Sequence, residues 1–177
     1  MSTNQTEKLK YPIGKLQFPD EITREMVNLW IKEIEGLPLK LKKAVSELSE
    51  AEMQTPYRPE GWTALQVVHH LADSHINGFM RFKLALTEYK PTIKPYYEDR
   101  WAELPDSHLT PVEVSLALLE ALHQRWTVLL MALTDEDLKK TVIHPEHGKE
   151  ISVEELIATY AWHGNHHLEH VKLVKRP

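Results

Sequence analysis

The chain has 177 residues, 21 Lys and Arg against 26 Asp and Glu for a net charge of −5, 11 histidines and no cysteine. That length suits a single domain over 1–177 with a sizeable core. The missing cysteines exclude disulfides, a cysteine nucleophile and a thiolate-held metal, and the acidic balance leaves no basic surface to draw nucleic acid or an anionic membrane. No stretch approaches the ~18 apolar residues of a membrane span, and MSTNQTEKLKYPIGK at the start has no apolar signal segment, so the expected location is the cytoplasm.

In chain order, residues 1–21 read as an extended N-terminal arm punctuated by Pro12, Gly14 and Pro19. Met26, Trp30, Ile34, Leu37, Leu41, Val45 and Leu48 then recur at steps of three or four, the period of a helix, with Thr23 placed to cap it and Gly36 and Pro38 predicting a break or kink. After the Pro/Gly loop at 52–62, Thr63 caps a second helix to about Thr87. Residues 88–109 hold three prolines among Tyr89, Tyr96, Tyr97 and Trp101. A connection this long is functional or crosses the fold. A third helix is predicted over Pro111–Leu133, a short helical turn over Thr134–Leu138, a turn or small hairpin in KKTVIHPEHGKEI, and a final helix capped by Ser152 and running to about Val174. Four substantial helices and little strand pattern predict an all-α four-helix bundle.

The histidines carry the chemistry. His163, His166, His167 and His170 crowd the last helix and form two i, i+4 pairs, 163/167 and 166/170, each able to offer two imidazoles from one face. The apolar stripe Leu156, Tyr160 leads on to His163 and His167, which read as core or supporting groups, while His166 and His170 are taken as ligands. A usable site needs a third, and His70 of the VVHHLA segment lies about 10 Å into its helix, level with His166 and His170 if helices two and four run antiparallel. That arrangement requires the 88–109 segment to cross the bundle, which about twenty extended residues can do, giving an up-down-down-up topology. The expected metal set is therefore His70, His166 and His170. His69 is the surface or core partner of the pair; His75, His108, His123, His144 and His147 are read as surface or local hydrogen-bonding groups, and the tryptophans as packing. Asp73, three residues past His70, is placed to orient an imidazole.

Two other motifs fail. His166-His167-Leu168-Glu169-His170 matches the inverted zinc-protease pattern, yet only VKLVKRP follows, without the further carboxylate ligand. Glu120-x-x-His123 is half of a di-iron motif whose second half is missing. There is no G-x-S-x-G or phosphate loop.

The blocks TPYRPEGWTALQVVHHLADSHIN (55–77), RFKLALTE (81–88), KPYYEDRWAEL (94–104), LHQRWTVLL (122–130) and YAWHGNHHLEH (160–170) resemble the DinB-like superfamily and, within it, the YfiT-like metal-dependent hydrolases, also described as bacillithiol transferases. The likeness extends over nearly the whole chain from Tyr11. It implies a four-helix bundle and one divalent metal per chain held by three histidines, mapped onto His70, His166 and His170; Asn165 departs from the pattern at a position that is not a ligand. It implies a cytoplasmic homodimer whose partners are a low-molecular-weight thiol, bacillithiol, and an electrophilic substrate. Arg81 and Arg100 are then placed to meet the carboxylates of such a thiol.

Three neutral imidazoles leave a divalent ion open positions, as catalytic sites require. Zinc is the expected ion, with nickel as the alternative. Thiol transfer is the favoured chemistry, hydrolysis by a metal-bound hydroxide the alternative, and a non-catalytic metal-binding dimeric module the second alternative. No catalytic acid or base is legible.

Overall fold

The computed structural model describes residues 3–145 and 148–175, so His147 lies outside the described residues. Four long helices dominate: α2 (Arg24–Ser46), α4 (Ala64–Thr87), α7 (Val112–Met131) and α9 (Val153–Leu173). The starts of α2, α4 and α9 follow from side-chain caps, whereas α7 begins after Pro111 without one. The Thr23 hydroxyl accepts from the Met26 amide, and Thr63 with Gln66 and Ser152 with Glu155 form reciprocal capping boxes. Short helices fill the connections: α1 (Thr3–Lys10), α3 (Glu50–Met53), α5 (Glu98–Trp101), α6 (Asp106–Leu109) and α8 (Asp135–Leu138). The predicted hairpin is present as β1 (Thr141–His144) paired antiparallel with β2 (Lys149–Ser152).

Helix α2 packs against α7 and α9, and α4 packs against the same two, so α2/α4 and α7/α9 are the diagonals of a four-helix bundle. Contacts across each pair fix direction. His70 meets His167 while Phe82 meets Tyr160, so α4 and α9 are antiparallel. His69 meets Ser115 while Phe82 meets Trp126, so α4 and α7 are parallel. Ile34 meets His123 while Arg24 meets Leu133, so α2 and α7 are antiparallel. The order is up-down-down-up, with residues 88–111 crossing between the ends of α4 and α7.

Two differences from the sequence reading matter. The arm is not wholly extended: it contains α1, whose end brings Lys10 and Tyr11 over the bundle. Helix α2 runs unbroken through Gly36 and Pro38, because its apolar face, Val27 through Val45, is buried along the whole length and tertiary packing outweighs one missing backbone donor.

The core is in two parts. One apolar cluster gathers Ile31, Phe82, Trp126, Ile157 and Tyr160; the other gathers Leu41, Leu71, Leu119, Leu168 and Val171. Between them along α4, α7 and α9 stand His75, His123, His163 and His167, all buried except the partly buried His163. A polar layer of this kind inside an apolar bundle has to be satisfied internally.

Candidate metal centre

Helices α4 and α9 cross where both are rich in histidine. There His70, His163 and His167 each turn a ring nitrogen to a common point, with the three ligand atoms all within 4.8 Å of one another. His70 Nε2 is 3.3 Å from His163 Nε2. Two imidazole nitrogens on one tetrahedral zinc, each at about 2.0–2.1 Å, stand about 3.4 Å apart. The donor set is all nitrogen and neutral: burial and the neighbouring rings push His163 and His167 well below the usual histidine range, and burial, with a smaller effect of His166, takes His70 down to about 4. Neutral rings present lone pairs, as metal ligation requires. The residues present therefore fit a divalent transition metal.

Of the predicted ligands, His70 belongs to this cluster and His166 and His170 do not. Residues one position apart on a helix are turned by about 100°, so the 166/170 pair faces the N-terminal segment instead. His170 Nε2 lies 3.1 and 3.2 Å from the Leu9 and Lys10 carbonyls, and its ring stacks on Tyr57 with centroids 3.9 Å apart. His166 stacks on Trp162 at 4.4 Å, and its Nδ1 is buried without a hydrogen-bond partner among the described residues. The pair that the structure brings to His70 is His163 and His167. Its signal was in the sequence: the inward stripe Leu156, Tyr160 continues at the helical period through His163 and His167.

The structure also places the other histidines and Asp73, and His69 and the exposed His108 stand as the sequence reading allowed. His69 is buried, donating from Nε2 to the Thr110 carbonyl (3.2 Å) and accepting from the Ser115 hydroxyl at Nδ1 (2.7 Å). His75 and His123 are buried behind His163 rather than at the surface. The carboxyl of Asp73, raised to about 6 by burial and then by Asp106, makes no hydrogen bond to an imidazole among the described residues.

The cluster forms one wall of an open cavity of about 850 Å³. Trp62, 4.6 Å from the His70 ring, and Trp162 give it apolar walls, while Lys10, Arg58, Arg81 and Arg100 bring cations to it. Arg81 donates to the Tyr160 hydroxyl at 3.1 Å. Tyr96, from the crossover, closes one side, its phenol pushed up to about 12 by burial. Trp62 and Trp162 are thus site walls as well as packing groups.

A mostly helical bundle with a three-histidine cluster opening into a cavity is the architecture of a metal-binding enzyme scaffold. The DinB superfamily pattern matches residues 33–171, and the chain belongs to that superfamily. It is 55% identical over 168 residues to a Bacillus cereus protein named "Putative metal-dependent hydrolase", covering 95% of this chain and 96% of that one. A Bacillus anthracis protein of the same name is 54% identical with the same coverage. Among solved structures, YfiT from Bacillus subtilis, described as "a probable metal-dependent hydrolase with an unusual four-helix bundle topology", superposes with a TM-score of 0.93 at 46% identity, covering 96% of this chain and 97% of that one.

Proposed function

We propose that the protein is a metal-dependent enzyme whose His70, His163 and His167 hold one divalent ion, zinc or alternatively nickel, and that it transfers a low-molecular-weight thiol of the bacillithiol class to electrophiles. The observation that carries the metal site is the convergence of three neutral imidazoles at the wall of an open cavity. A divalent ion held by three imidazoles supplies Lewis acidity that lowers the pKa of a thiol or water beside it.

The chain's own groups supply the rest. Arg58, Arg81 and Arg100 suit the carboxylates of such a thiol, and Arg forms bidentate pairs with carboxylates. Tyr160 orients the Arg81 guanidinium. Trp62 and Trp162 give the apolar carbon skeleton of an electrophile a surface to lie on and keep water from the buried side of the cluster.

Hydrolysis is the second reading, favoured by the names of the relatives. Exposed Leu29, Leu39, Val128 and Met131 on α2 and α7 support a homodimer formed through that face. Among the described residues no helix is long and apolar enough to cross a membrane, and the cytoplasm is the proposed location.

The test is to incubate zinc-loaded protein with bacillithiol and a haloalkyl electrophile, and separately with a panel of esters and amides. Thiol conjugate that vanishes in His163→Ala supports transfer. Ester or amide cleavage with the same dependence, and no conjugate, replaces it with hydrolysis. Neither activity would leave the catalytic reading without support.

A further inference from the structure

A line of buried imidazoles lies behind His163, and it begins at a proline. Pro38 has no N–H, so the carbonyl four residues earlier, that of Ile34, loses its donor within α2. His123 on α7 takes that place: its Nδ1 is 2.6 Å from the Ile34 oxygen. A carbonyl only accepts, so Nδ1 of His123 carries the hydrogen. Burial keeps the ring neutral, which makes its Nε2 an acceptor.

The next steps are forced in turn. His75 Nδ1 is 2.8 Å from His123 Nε2, so it donates and leaves His75 Nε2 as an acceptor. His163 Nδ1 is 3.2 Å from His75 Nε2, so it donates as well. The lone pair of His163 is then on Nε2, the atom that faces His70. His75 and His123 are 0% and 1% exposed, so solvent cannot relieve a wrong choice at either ring.

The other ligand of α9 is set by the same logic. His170 Nε2 donates to the Leu9 and Lys10 carbonyls, so His170 Nδ1 accepts from His167 Nδ1 at 3.3 Å and leaves His167 Nε2 free.

We propose that Pro38, His123 and His75 form a hydrogen-bond relay that selects the Nδ1–H tautomer of His163, making His75 and His123 positioning residues for metal capture. The relay rests on the reading of His163 as a ligand. Its effect is to present a lone pair where the other tautomer would present an N–H. Partners of this kind are worth about 10–100-fold in metal affinity.

The test combines two readouts on the full chain. Long-range proton–nitrogen correlation spectra of ¹⁵N-histidine-labelled, metal-free protein report each ring's tautomer, and chelator competition reports the zinc dissociation constant. In the wild type His123, His75 and His163 should all carry hydrogen on Nδ1. His75→Phe should mix the His163 tautomers and weaken zinc binding about 10–100-fold. His123→Gln, whose amide oxygen can replace Nε2 as acceptor, should keep affinity near wild type.

Pro38→Ala separates this role from packing, because it restores a backbone donor to the Ile34 carbonyl. It should leave Tm at or above the wild-type value yet mix the His163 tautomers and weaken zinc binding. Hydrogen on Nε2 of His163 in the wild type overturns the relay, as does a folded Pro38→Ala or His75→Phe protein with unchanged tautomers and affinity. The expected tautomers in a protein that binds no zinc would instead sustain the relay and sink the metal reading, so the two can fail separately.

Discussion

The four histidines of α9 face two ways according to their position on the helix. His163 and His167 point between the helices to His70, whereas His166 and His170 point to the arm and the 54–62 loop. The sequence reading placed the ligand pair one face away from the cluster. It matched levels along the helices correctly, but both pairs satisfy that test within one turn. What separates them is the angle about the axis, and the stripe through Leu156 and Tyr160 carried that information. His166 and His170 are buried by partners that spacing alone does not reveal: Tyr57, Trp162 and the backbone at Leu9 and Lys10. At the same scale, Arg81 reaches the cavity bonded to the neutral Tyr160 hydroxyl. Arg81→Met should raise KM for a carboxylate-bearing thiol about 10-fold or more, the worth of a charge-assisted hydrogen bond, with kcat changed less. Equal KM values in initial-rate assays would remove Arg81 from substrate binding.

At the scale of elements, most of the helices were legible because caps and apolar period agree. Thr23, Thr63 and Ser152 all cap where the residue pattern places them. Helix α1 and the continuity of α2 through Pro38 were not, since both depend on what the segment packs against. Close approach of the helices depends on two glycines. A Cβ at Gly164 of α9 would come within 2.5 Å of Leu37 Cδ2 on α2, and one at Gly78 of α4 within 2.5 Å of Tyr160 Cζ on α9. In an exposed helix a Gly→Ala change adds up to about 1 kcal/mol of stability. Here overpacking reverses the sign, and Gly78→Ala should cost about 1–3 kcal/mol in denaturant unfolding. It would also press on the ring that holds Arg81. A more stable Gly78→Ala protein would mean that Tyr160 has room to move, which the packing of Trp126 against both groups opposes.

For the whole molecule, the polar layer between two apolar clusters ties stability to pH. Burial lowers the pKa of His70, His123, His166 and His170 from 6.5 to about 4, and burial with the neighbouring rings also pushes His75, His163 and His167 well below the usual histidine range. Between those values the unfolded chain binds more protons than the folded one, so stability rises with pH through the window and falls as pH drops below about 6.5. Each such shift favours the folded state while its ring is neutral, and that stabilisation is lost as pH falls from about 6.5 toward 4. Metal-free protein should therefore have a flat Tm above pH 7 and lose it steeply between pH 6.5 and 4 in thermal scans. A Tm independent of pH across that range would mean that the imidazole layer is open to water.

His70, His163 and His167 are proposed to form the metal centre. This is tested most directly by metal content per chain in tag-free protein after saturation and desalting, for the wild type and for alanine variants at positions 70, 163, 166, 167 and 170. The wild type should hold about one divalent ion per chain. His70→Ala, His163→Ala and His167→Ala should lose it, while His166→Ala should keep it and His170→Ala should keep it with weaker affinity. Loss in His166→Ala and His170→Ala with retention in His163→Ala and His167→Ala would return the site to the other face of α9, and a metal-free wild type would contradict the account altogether.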